Sequence, residues 1–252
     1  AMIRSPLALA ALAAALLAAA LSARAADRLP GFLATELTDA DVGDAASFGR
    51  NARWLGLLSG FIELDTDCSP ATPTDPPRTN CVVLNPAPAT TSFDRPDLAK
   101  ITLPGKSTNS LLCHWQTPVA NVFWSNETAA NSNARFVLRP YYVIENEVLA
   151  DPTLVNPLTG LPFAGRFEQS LIAVNELQTM APGFSASRLY TYSRVCIGGA
   201  ISRSFLVDSL GLSEDQAKQF FRKPTTIRIG LRGNAQLVQF ASINVGTRFL
   251  GD

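Results

Sequence analysis

The chain has 252 residues, with 21 basic and 21 acidic side chains, one histidine, 47% hydrophobic residues and 17% charged ones. That is enough chain for one domain with a real apolar core, and it is not the composition of a disordered polymer. Formal neutrality excludes the global electrostatic footprint of a nucleic-acid or anionic-membrane binder, and a lone histidine, His114, excludes multi-histidine metal sites.

Residues 1–25 read as a cleaved signal peptide. Arg4 gives a short positive start, Leu7 to Leu21 is an unbroken alanine and leucine run, and Ala23-Arg24-Ala25 is the small-x-small pattern at which such segments are cut. The run falls short of the roughly 20 residues a helix needs to cross a bilayer core. The expectation is export to the periplasm, the medium or the cell surface, with no transmembrane span after cleavage. Residues 26–252 are then a single β-rich domain with 19 basic and 21 acidic side chains.

Export changes how the cysteines are read. Cys68, Cys81, Cys113 and Cys196 are even in number and form no C-x-x-C, so two disulfides are expected rather than a metal site. Cys68 with Cys81 is the favoured pair because the segment between them is proline-rich and has no core of its own. Cys113 is left with Cys196. The whole stretch 65–96 is expected to be a long loop pinned by the first bridge.

Short strands follow the turn signals. Trp54 to Leu64 is an apolar strand bounded by glycines, and alternation resumes from Leu111 through Trp124. Residues 125–133 are a turn containing the sequon Asn126-Glu127-Thr128. Arg135 to Leu149 is a long strand in which Pro140 marks an edge, a bulge or a break. Residues 151–165 are loop, Phe167 to Leu177 and Arg188 to Ile197 are strands, and Thr225–Leu231 is expected to pair with Leu237–Phe249 across a Gly233-Asn234 turn. One helix stands out. Ser213 and Gln216 make a capping box, Leu212 and Ala217 occupy staple positions, Phe220 and Phe221 form the apolar face, and Pro224 stops it. The expected fold is a mainly β, antiparallel β-sandwich or jelly-roll-like single domain with a small helical insert near 203–223, and α+β is the alternative.

The chain has no G-x-S-x-G, phosphate-binding loop, dinucleotide fingerprint or H-E-x-x-H. Glu145 and Glu147, two apart on a strand, are the pair that could serve as acid and base on a glycosidic bond. His114 is the sole histidine base available. Two carboxylate groups, Glu63/Asp65/Asp67 and Asp39/Asp41/Asp44, have a spacing that could gather calcium; three acids on one face otherwise need a basic group among them. Trp54, Trp115, Trp124, Tyr141, Tyr142, Tyr190 and Tyr192 are candidates for a carbohydrate platform or for core. No cofactor other than calcium is implied. The leading expectation is a non-catalytic binding, surface or assembly module with a carbohydrate or protein partner, or a homo-oligomer formed through the edge strands of the carboxyl-terminal pair. A glycan-directed hydrolase and a calcium-stabilised adhesion-type module are the alternatives.

Overall fold

A computed structural model describes residues 53–108, 111–171, 173–191 and 201–251, without the side chains of 53–55 and 111–118. The signal-like segment, Asp39, Asp41, Asp44, Tyr192 and Cys196 lie outside the described residues, as do the side chains of Trp54, Cys113, His114 and Trp115. All described residues fall within one unit, 34–252.

Eleven strands are described: β1 (Arg53–Asp65), β2 (Cys81–Val83), β3 (Thr91–Leu103), β4 (Leu111–Ser125), β5 (Ser132–Asn146), β6 (Arg166–Ser170), β7 (Val174–Met180), β8 (Ser185–Thr191), β9 (Ile201–Ser202), β10 (Thr225–Gln236) and β11 (Val238–Gly251). One sheet runs β2-β1-β11-β4-β8, with β9 also on β4, and the other runs β3-β10-β5-β6, with β7 also on β5. All pairings are antiparallel except β1 with β2.

The β6/β7 pair shares β5 as neighbour, and the β8/β9 pair shares β4, so each pair acts as one interrupted strand. The ladders then nest. β1 pairs with β11, β3 with β10, β4 with β8/β9 and β5 with β6/β7, as in one long antiparallel ribbon. Rolling that ribbon adds the β11–β4 and β10–β5 ladders. This is the connectivity of a jelly roll: two sheets packed face to face, with β2 as an extra edge.

Period-two alternation makes the core. In β10, Ile227, Ile229 and Leu231 are buried while Arg228 and Arg232 face outward. Trp124 is fully buried and meets Phe136 and Tyr190 edge-on at 6.5 and 6.2 Å. Tyr142 crosses the interior to donate to Thr247 Oγ1 at 2.8 Å, linking the sheets.

The capping box forms as its residues dictate, and α1 spans Glu214–Arg222. A π-helical turn, Phe205–Ser209, precedes it. Leu206, Leu212, Ala217, Phe220 and Phe221 are buried, so this helical segment closes one end of the roll. Chain direction places the connections 104–108, 147–165 and 203–224 at that end. The connections 66–90, 126–131, 181–184 and Leu237 lie at the other.

Four expectations change. Gly233-Asn234 is not a turn: β10 runs straight through it and the chain reverses at Leu237, in the left-handed region at φ 56°. β10 and β11 therefore belong to different sheets and do not pair. The Cys68–Cys81 bridge is formed, yet the 65–96 loop is interrupted by β2, and its last residues already belong to β3. β5 stops at Asn146 rather than continuing to Leu149, because Asn146 turns its side chain to the end of α1, donating to Phe220 O at 3.0 Å and Thr225 Oγ1 at 2.8 Å. The chain then enters a 3-10 turn, Glu147–Ala150. Pro140, finally, lies inside a strand flanked on both sides. Its carbonyl accepts from Leu171 at the changeover between the β6 and β7 ladders, so its missing N–H falls where no ladder bond is needed.

Candidate functional site

Outward residues of the β3-β10-β5-β6 sheet form an ion-pair network. Arg228 donates to Glu145 at 3.0 Å and meets Asp97 at 3.3 Å. Arg232 meets Glu168 at 2.7 Å and Asp94 at 3.5 Å, and its guanidinium stacks 3.9 Å from the Tyr141 ring centroid. Tyr141 lies flat over Gly230, where a Cβ would come within 2.3 Å of the ring. Its hydroxyl donates to Asp94 at 2.6 Å.

Burial, reinforced by the Asp94 carboxylate, pushes the Tyr141 phenol up to about 12 from its ordinary 10.0. Burial pushes Tyr142 up as well. A phenol whose folded-state pKa is raised stabilises the fold fully below the unfolded value and loses that contribution as pH climbs through the folded one. Thermal melts should therefore show stability falling between about pH 10 and 12, and Tyr141→Phe should flatten part of that decline. An unchanged slope would remove Tyr141 from the account.

Glu145 and Glu147 are not side by side. Glu145 faces outward from β5 and is held by Arg228. Glu147 begins the 3-10 turn, with its side chain 71% exposed and paired to Lys223 at 3.2 Å. His114 takes its backbone place in β4 opposite Phe249.

The acids at the end of β1 have the basic group they require. Arg78 Nη2 lies 2.7 Å from Glu63 and 2.9 Å from Asp65, and Nη1 donates to the Asp67 carbonyl at 2.7 Å. The Asp67 carboxyl turns away to Ser69, whose hydrogen bonds hold it below the usual carboxylate range. The same guanidinium ties the proline-rich loop to β1 beside the Cys68–Cys81 bridge. Arg78→Ala should cost about 1–2 kcal/mol, since it leaves two half-buried carboxylates facing each other, and Glu63→Gln in that background should recover part. Urea melts that coincide with the parent protein would show the cluster to be inert.

Among the described aromatics, Trp124, Tyr142 and Tyr141 are buried, and Tyr190 packs inward on Trp124 and Phe136 with rings stacked 6.1 Å apart in the latter pair. They form core and a covered ring on the sheet face. The carboxyl-terminal strands are not edges either. β10 lies between β3 and β5, and β11 between β1 and β4, because the ribbon rolls around them. Among the described strands, edge positions fall instead to β2, β3, β6/β7 and β8/β9. The β8 strand exposes Leu189 at 65%.

The end of the roll opposite α1 holds a groove of about 480 Å³, within the size range of small-molecule sites. Leu84, Leu237 and Val238 form a buried apolar floor. Asn85, Glu127, Thr128 and Gln239 supply the polar groups. Its wall is built on Asn126, which is fully buried and fully bonded. Asn126 Oδ1 accepts from Thr128 N at 3.1 Å and Oγ1 at 2.7 Å, while Nδ2 donates to Ala130 O at 2.9 Å and Met180 O at 2.8 Å. The sequon is thus a structural knot, and both amide hydrogens a glycan linkage would compete for are engaged. Nothing in sequence spacing marks this groove, since its lining comes from separate connections that only the rolled ribbon brings together. The sequon is the one local signal within it.

No protein-family model matches the chain, and no curated protein does. Among solved structures, one described as "Crystal structure of the T13 IBDV viral particle reveals a missing link in icosahedral viruses evolution" is similar at 9% identity and a TM-score of 0.17, over 80% of this chain and 39% of that one. This chain spans about two fifths of that protein's length, and a likeness at this score carries nothing about fold or function.

Proposed function

We propose that the protein is an exported, non-catalytic binding module that takes its partner in the groove at the loop end of the jelly roll. The observation that carries this reading is the groove's lining. Among the described residues, an apolar floor is ringed by amide and hydroxyl groups with a single carboxylate, Glu127, and no acid–base pair. Such a surface suits an uncharged partner that offers both hydrogen-bonding groups and apolar area. The carboxylates that sequence spacing offered for hydrolysis are committed to arginine and lysine elsewhere. Export is supported by the signal-like residues 1–25 and by the Cys68–Cys81 bridge.

Backbone amide spectra test the binding reading. Titration with neutral oligosaccharides, with uncharged peptides and with the protein's own increasing concentration should shift residues 84–87, 127–128 and 237–239 in at least one series. Silence of these residues in all three would overturn it. Glycan hydrolysis that Glu145→Gln abolishes would establish the hydrolase instead. Export predicts a shortened chain outside the cytoplasm of a bacterial host with Cys68 and Cys81 joined; a full-length chain retained with free thiols is the opposing result.

A further inference from the structure

The end of the roll that α1 closes carries an apolar projection. Residues 154–163 form a small hairpin bridged between Val155 and Pro162. Its tip is ordered by one residue: Asn156 N donates to Leu161 O at 2.8 Å, Asn156 Oδ1 accepts from Leu158 N at 2.9 Å, and Gly160 N donates to Asn156 O at 2.8 Å. Gly160 supplies the left-handed residue, at φ 70°. The stem is anchored by Phe163, which is buried, and by Leu154, which packs against the core. Yet Val155, Leu158 and Leu161 point into solvent, 48%, 78% and 65% exposed. A hydrogen-bonded hairpin with two largely exposed leucines at its tip is a poor surface for an isolated molecule, and a preorganised anchor for a partner.

The groove at the other end is the complement on the same chain. It is concave with a floor of Leu84, Leu237 and Val238, and about 480 Å³ is room for two leucine side chains with space left over. Exposed charges are of opposite sign: the anionic Glu127 lines the groove, and the cationic Arg166 is the first β6 residue after the hairpin. Resting on the groove as the binding site, we propose that its occupant is the Asn156–Leu161 hairpin tip of a second copy of this chain. Knob and socket lie at opposite ends of the roll, so the contact is head-to-tail. Each added copy leaves one free knob and one free socket, and association continues into a ring or an open filament rather than stopping at a dimer.

Two single variants at surface positions test this. Leu158→Asp disables the knob and leaves the socket intact. Thr66 also lines the groove, so Thr66→Glu places a second carboxylate there in addition to Glu127 and leaves the knob intact. Light scattering of the purified protein should show a mass that rises at least twofold between micromolar and millimolar concentration, and each variant alone should stay monomeric. An equimolar mixture of the two should form a dimer and go no further, because the surviving knob fits the surviving socket and the remaining ends are both disabled. Circular dichroism melts matching the parent protein establish that both variants are folded. A monomeric parent at all concentrations, variants that still associate, or a mixture that stays monomeric would each overturn the head-to-tail contact. Groove shifts caused by oligosaccharide with no self-association would leave the binding reading standing and refute this one.

Discussion

Gly233→Ala is expected to destabilise the protein by about 3–5 kcal/mol, enough to leave much of it unfolded at ordinary temperature. Gly233 sits in the middle of β10, opposite Phe93 on one side and Leu138 on the other. A Cβ there would stand 2.1 Å from the Val137 carbonyl oxygen and 2.7 Å from Phe93 Cζ. The first of these neighbours is backbone in a central strand, so relief requires β5 and β10 to part along their ladder rather than a rotamer to change. Gly160→Ala is the informative comparison. It has nothing within 4 Å of its Cβ position and is strained only by its own φ, so its cost should stay near 1 kcal/mol. Urea unfolding followed by tryptophan fluorescence measures both, and a Gly233→Ala protein within 1 kcal/mol of the parent would show that the sheets have slack at this point.

Asn126→Ala should cost about 3 kcal/mol and disable the groove at the same time. The side chain makes four hydrogen bonds at full burial; removing it takes a buried donor from the Met180 carbonyl, an acceptor from the Thr128 amide, and one of the three donors on the Ala130 carbonyl, which keeps the Thr128 and Ser132 hydroxyls. Its main chain ties in the next connection as well, donating to Phe184 O at 3.0 Å and accepting from Gly183 N at 2.8 Å. Asn126→Asp should be no milder, since it keeps the acceptor but sets a carboxylate against two carbonyl oxygens. Hydrogen exchange should show faster protection loss at 126–131 and 181–184 than in the α1 end of the roll. If the melt were unchanged and these amides stayed protected, the knot would be ornamental, and the wall carrying Glu127 and Thr128 would have another support.

What could be read along the chain was what neighbouring residues decide among themselves. The capping box of Ser213 and Gln216, the outward arginines and inward aliphatics of β10, the start of β1 and the bridge closing the proline-rich loop are all local in their causes: fixed turn chemistry, period-two burial, and a short segment with no core to hold it. The same information gave the class, an antiparallel sandwich of jelly-roll type with a helical insert. It misread Gly233-Asn234, because a glycine before an asparagine satisfies a turn and a close strand approach equally well. The choice between them belongs to Val137 and Phe93, roughly a hundred residues and more away. It likewise placed Glu145 and Glu147 on one face, whereas β5 ends at Asn146 between them, whose side chain bonds to the end of α1, and Glu147 already opens a 3-10 turn. The rolling of the ribbon decided the remainder. It buried the carboxyl-terminal strands in the middle of both sheets, gathered distant connections around one groove, and set a bare apolar hairpin at the opposite end. Those juxtapositions depend on which strands lie beside which, and long-range pairing leaves no periodic mark on the sequence.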